Sequence, residues 1–130
     1  MPSEPLLHLK IDRNSVCAGD DTDPHDIPLS LPASATVADL LTEVTRRHFL
    51  ASISGGKATW LIMVPGFRRE PIGVAAQQWD APQFVIAPET RLATLFGDGE
   101  PSVFFRYWEQ SDPERVFACL QAGTPLPPVA

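Results

Sequence analysis

The sequence has few cysteines and no long apolar run. The first shortage argues against a disulfide-rich protein and the second against a membrane-spanning one. The two cysteines, Cys17 and Cys119, lie far apart and neither belongs to a CxxC pair, so no disulfide framework is expected. No apolar run approaches the roughly 18 residues of a membrane span, and the N-terminal segment lacks a basic region followed by an apolar core. We therefore expect a cytoplasmic protein with no membrane partner.

Positive charge is also scarce. Ten Lys and Arg residues stand against 16 Asp and Glu residues, which gives a formal net charge of −6 at pH 7. A field of this sign repels nucleic acid and attracts basic surfaces. We therefore expect no nucleic-acid partner, and a protein partner with a basic surface.

Helical periodicity is clearest in the stretch after Thr36. Apolar residues recur on one face of a helix that we predict to run from Val37 to about Ala51. Thr36 is placed to cap this helix, and Asp39 follows three residues later, as in a capping box. Arg46 lies near the far end, where positive charge suits the helix dipole.

Strand patterns surround this helix. Polar and apolar residues alternate in Leu7–Ile11 and Ile27–Leu31, whereas Trp60–Val64 is a continuous apolar run and Val103–Trp108 is rich in aromatics. We predict an α+β fold with a mixed sheet of four to five strands, the main helix packed across it, and a short helix after Asp112. Residues 1–122 are predicted to form one domain, and the Pro-rich residues 123–130 a flexible tail.

Two short stretches resemble a known superfamily. The sequence ATVADLL at Ala35–Leu41 resembles the helix start of the small sulfur carrier proteins, and LFGDGE at Leu95–Glu100 resembles the turn before their last strand. The predicted order of strands and helix also resembles the β-grasp arrangement of ubiquitin and its relatives. The resemblance implies a β-grasp scaffold, which in non-conjugating members of the superfamily mostly serves as a protein-binding module.

The C-terminal sequence departs from the carriers and modifiers of this superfamily. Those proteins end in a Gly-Gly pair whose carboxylate is activated, whereas this sequence ends Pro128-Val129-Ala130 and its Gly55-Gly56 pair is internal. Carrier chemistry therefore does not transfer by resemblance. A ubiquitin-like carrier or modifier with an atypical C-terminus remains the alternative interpretation.

An acidic loop between the first two predicted strands is the candidate recognition surface. Its candidate contact residues are the aspartates Asp20, Asp21, Asp23 and Asp26, together with His25. A calcium loop that begins at Asp21 would need glycine at its sixth position and glutamate at its twelfth, but these are Asp26 and Pro32, so no metal site is expected. A long, self-repelling loop is better explained by a basic partner than by folding, and Trp79 is the candidate apolar anchor for that partner.

Residues with catalytic potential do not form a recognisable site. The histidines and cysteines lie outside any nucleophile elbow, and no phosphate-binding glycine loop is present. We therefore predict a non-enzymatic protein without cofactors. The favoured hypothesis is a small bacterial immunity or antitoxin-like protein that blocks a toxin, or a secretion-system accessory protein. A small enzyme with an unfamiliar site is the third hypothesis.

Overall fold

The computed structural model describes residues 4–15, 25–53 and 55–128, and these form an α+β fold. In this part of the chain, no helix has the length and apolar content needed to cross a membrane. The elements in chain order are strands β1 (Leu6–Arg13) and β2 (Ile27–Pro32), helix α1 (Val37–Arg46), strands β3 (Thr59–Met63), β4 (Gly73–Ala76) and β5 (Gln83–Phe84), helix α2 (Leu92–Phe96), strand β6 (Ser102–Tyr107) and helix α3 (Pro113–Ala122).

The strands form one mixed sheet in the order β2-β1-β6-β3-β4-β5. Strands β1 and β6 run parallel, with Ile11 opposite Val103, and every other neighbouring pair is antiparallel. The sheet has six strands rather than four to five. The additional strand arises because residues 67–89 contain both β4 and the two-residue β5.

Helix α1 begins as predicted and ends early. Thr36 Oγ1 accepts a hydrogen bond from the Asp39 backbone N–H at 3.2 Å, and Asp39 Oδ2 accepts one from the Thr36 N–H at 2.9 Å. The helix ends at Arg46 rather than near Ala51, so the predicted end is wrong. The physical reason is that His48 takes a left-handed conformation (φ 52°), which turns Phe49 onto the sheet and against the Phe105 ring.

Two apolar layers cover the sheet. Helix α1 packs on one face through Val37, Leu40, Leu41 and Val44, which join the main core. Helix α3 packs on the other face, where it covers β4 and the neighbouring β3, so β3 is buried on both sides. This second core is built on the fully buried side chains of Leu61, Val74 and Val116.

The C-terminal segment is attached to this second core. Trp108 Nε1 donates a hydrogen bond to the Pro127 carbonyl at 3.0 Å, Leu126 packs against the second core, and Pro127 is buried. The Pro-rich composition predicts a flexible tail, but these contacts give residues 126–127 a packing role. Removing the tail should therefore lower stability as well as shorten the chain.

A substitution within this segment measures that role. We expect Leu126→Ala to lower the free energy of unfolding by about 1 kcal/mol, less than for a fully buried leucine, because Leu126 is half-buried. Urea unfolding gives the value, and Pro128→Ala, at an exposed position of the same segment, is the matched control. Equal stabilities of Leu126→Ala and the parent protein would show that the segment does not contribute to the fold.

Candidate functional site

A groove runs along one side of α1, between this helix and the chain that follows β4. It consists of two cavities of about 530 Å³ and 270 Å³ that share Leu41, Thr45, Asp80, Ala81 and Pro82 in their linings, so they are continuous. We call this surface the α1 groove. In the larger cavity the helix contributes Ala38, Leu41, Thr42, Thr45 and Arg46, and the opposite wall contributes Asp80, Ala81, Pro82, Phe84 and Pro88.

The two walls of the groove are held by the backbone. The Ala38 N–H donates to the Pro88 carbonyl at 3.0 Å and the Val37 N–H donates to the Thr90 carbonyl at 2.9 Å. These donors belong to the first turn of α1, where helical N–H groups have no partner within the helix. The start of the helix therefore fixes one end of the opposite wall, and small residues on the adjacent helix surface leave the space between them open.

Strand β5 supplies the aromatic part of the opposite wall. Phe84 reaches the groove from β5, which lies unusually close to β4 at Gly73. A Cβ atom at Gly73 would lie 2.5 Å from the Gln83 carbonyl oxygen and 2.8 Å from Phe84 Cδ1. Only glycine permits this approach, so the position of Phe84 depends on residue 73.

The charged side chains of the groove differ in their pairing. Arg46 and Arg47 both donate to the Glu43 carboxylate, and these hydrogen bonds lower the pKa of Glu43 to about 2. Arg46 is therefore already paired on its own helix. Asp80, which lines both cavities and is exposed, makes no hydrogen bond or ion pair with the residues that the structure describes.

Trp79 lies at the end of the groove and links two elements. Its indole Nε1 donates to Glu114 Oε1 at 2.8 Å, and its ring packs in the second core and lines the smaller cavity. The side chain is half-buried rather than fully exposed. Part of the ring can meet a partner, but its N–H already has an acceptor on α3, so any contact with a partner would be apolar.

The acidic loop is only partly within the described residues. Asp20, Asp21 and Asp23 lie outside them. His25 is half-buried with Nε2 3.3 Å from Ser15 Oγ, and Asp26 is exposed just before β2.

Asp26 and Trp79 project from the same end of the sheet without being adjacent. From β2 to β4 there are four strand spacings in the sheet order, a separation of roughly 19 Å. Asp26 and Trp79 are therefore not neighbours, and one partner would have to span the sheet to contact both.

The groove itself was not identified from the sequence. Ala38, Thr42 and Thr45 lie beside the apolar stripe of α1 and repeat at helical spacing. Their small size next to a buried stripe was the available signal. Asp80 and Pro82 gave no signal, because their approach to α1 depends on the path of the chain after β4.

Groups with catalytic or metal-binding potential are dispersed over the described residues. Within these residues, no cluster of three or more His, Cys, Asp or Glu side chains is arranged to hold a metal ion, and every buried side-chain nitrogen and oxygen has a hydrogen-bond partner. Cys119 is a half-buried free thiol on α3. The α1 groove is thus the surface whose shape and charge best indicate a function.

Comparison with known proteins does not add a second line of evidence. No protein-family model, no curated protein and no solved structure matches the chain.

The groove is mostly apolar, is built on a helix and a strand, and carries one unpaired carboxylate. Such a surface suits the side chains of another molecule.

Proposed function

We propose that the chain is a non-enzymatic protein-binding module on a β-grasp scaffold. The scaffold is supported by the β1–β2 hairpin, by α1 across one face, and by β6 lying parallel to β1 in the middle of the sheet. Strand β5 and helix α3 then extend the scaffold at its edge and on its second face. The ATVADLL stretch leads into α1, and the LFGDGE stretch covers the end of α2 and the turn before β6.

The α1 groove is the observation that carries the binding role. Its walls are α1 and the segment that contains β5, and backbone hydrogen bonds from the first turn of α1 hold one end of that segment, so its shape is largely formed before any partner arrives. Preformed sites lose less conformational entropy on binding than surfaces that must first be ordered. An apolar surface with few polar groups is also typical of the buried centre of an interface.

The net charge indicates the kind of partner. A chain with a formal charge of −6 attracts a basic surface and accelerates the encounter with it. A small bacterial immunity or antitoxin-like protein that blocks a basic toxin surface fits these properties, as does a secretion-system accessory protein, and either would act in the cytoplasm. The Gly55-Gly56 pair lies between α1 and β3, where it has no carboxylate to activate, so a carrier role gains no support.

The first experiment is affinity purification of the tagged full chain from its native host, followed by reconstitution with the purified partner. Saturable binding of one defined protein supports the proposal. If no protein binds above the level of an unrelated acidic control, the proposal is wrong.

Charge neutralisation in the acidic loop tests the electrostatic part of this function. We expect replacement of Asp20, Asp21, Asp23 and Asp26 together by Asn to lower the association rate with the purified partner by about tenfold at low salt. The difference should shrink as salt screens the charges, and the free energy of unfolding should hold or rise slightly because the four carboxylates no longer repel one another.

Stopped-flow association at several salt concentrations measures this effect. Asp98→Asn, in the exposed turn before β6, is the control for removal of an aspartate elsewhere on the surface. An association rate and salt dependence equal to those of the parent protein would leave the loop as a solvated connector. The charge argument for a basic partner would then fail at this loop.

A further inference from the structure

We infer that the α1 groove binds a segment of a partner protein in which an apolar side chain lies directly beside a Lys or Arg. The inference rests on the proposed protein-binding function and adds the site and the chemistry of the ligand. It does not involve the acidic loop, whose described residue Asp26 lies several strands away.

The apolar part of the ligand is indicated by the groove walls. Leu41 forms the floor shared by both cavities, and Pro82, Phe84 and Pro88 face the helix across the larger one. The larger cavity alone, at about 530 Å³, lies within the range of sites that enclose a small ligand or several side chains. Water held against such walls is released when an apolar side chain replaces it.

The cation is indicated by charge complementarity. Asp80 lines both cavities and is unpaired among the described residues, whereas Arg46, the cation in the lining, is held by Glu43. His48 lines only the smaller cavity. The uncompensated charge at the junction of the two cavities is therefore negative, and a Lys or Arg next to the inserted apolar side chain would neutralise it.

The same charges disfavour two other occupants. An acidic peptide would bring a carboxylate to Asp80 without a free cation to receive it. A second copy of this chain would bring another formal charge of −6, and the two copies would repel each other. A basic segment of a different protein is the occupant that both the groove and the whole chain attract.

The outer edge of β2 is a poor alternative for binding a partner strand. The Lys10 N–H donates to the Pro101 carbonyl on the β6 side, so Lys10 makes no backbone hydrogen bond with its partner Pro28 on β2. Because hydrogen-bonded and non-hydrogen-bonded pairs alternate in an antiparallel ladder, the backbone groups of Pro28, Ser30 and Pro32 all point away from β1. Prolines have no N–H, which leaves Ser30 as the outward donor of this strand. Edge strands interrupted by proline resist pairing with another chain.

The test uses peptides selected from a random display library on the immobilised full chain and then synthesised. We expect the enriched sequences to share an apolar residue next to Lys or Arg. Thr42→Trp, which fills the larger cavity, should weaken their binding by at least about tenfold, whereas Thr94→Trp, on the exposed side of α2, should leave it unchanged. Asp80→Asn should weaken binding by about two- to fivefold at low salt, and Asp98→Asn should not.

Thermal melting of each variant establishes that it is folded before its affinity is compared, and Thr42→Ala, which enlarges the cavity without filling it, should retain binding. Enrichment of acidic peptides, failure to enrich any peptide, or equal affinity of Thr42→Trp and the parent protein would overturn the inference. If the purified native partner binds Thr42→Trp as tightly as the parent protein, the groove assignment fails while the protein-binding function stands. If affinity purification yields no partner, the proposed protein-binding function is wrong, and the inference about the groove is wrong with it.

Discussion

Replacing Gly73 with alanine should lower the free energy of unfolding by about 3 kcal/mol and move β5 away from β4. The added Cβ atom would lie 2.5 Å from the Gln83 carbonyl oxygen, and a backbone atom can move aside only if its strand moves. Overpacking of this kind typically costs about 1–3 kcal/mol, and a clash with backbone belongs at the upper end. Urea unfolding measures the loss of stability.

A second consequence concerns the groove. Because Phe84 forms part of its wall, displacement of β5 should also weaken binding of the selected peptides. Gly123→Ala is the control: its φ of 73° is unfavourable for alanine, but no atom lies within 4 Å of the added Cβ, so it should cost only about 1 kcal/mol and leave peptide binding intact. If Gly73→Ala is as stable as the parent protein, β5 is not held against β4 as described.

Leu41→Ala should lower the free energy of unfolding by about 2–5 kcal/mol. Leu41 is 3% exposed and lies between the main core and the floor of the α1 groove, so its removal leaves a void that neighbouring side chains cannot fill without moving α1. Thermal and urea unfolding give the change in stability.

Leu6 provides a matched leucine control for this measurement. Its side chain is 57% exposed, and Leu6→Ala should change the free energy of unfolding by no more than about 0.5 kcal/mol. Melting curves of Leu41→Ala and Leu6→Ala that coincide with the parent curve would contradict the packing of α1 on the sheet. A large loss for both variants would instead indicate that β1 depends on Leu6 in a way that its exposure does not suggest.

Local signals predicted much of the fold. The capping box at Thr36 and Asp39 is complete within four residues, and it marked the start of α1 correctly. Asp112 and the following proline likewise marked the start of α3. The unbroken apolar run from Trp60 indicated a strand covered on both faces, and β3 is that strand. Each of these patterns depends on neighbours in the sequence.

The features that were missed depend on contacts between distant residues. The end of α1 is set by the contact of Phe49 with Phe105 on β6. No sequence pattern near His48 predicts this contact. The groove depends on Pro88 and Thr90 meeting the first turn of α1, and on Gly73 admitting β5. In the sequence alone, Asp80 is typical of a solvated turn residue. Its position in the lining of both cavities is what makes it a candidate binding residue.

The central position of β6 also imposes an order on folding during synthesis. Strands β1 and β2 form one half of the sheet and β3 to β5 the other, and in the sheet only β6 joins them. Because β6 follows all the other strands of this sheet in the chain, the two halves remain unjoined on a nascent chain until β6 has left the ribosome. Pairing of β1 with β6 closes a loop of most of the chain, a class of contact that slows folding.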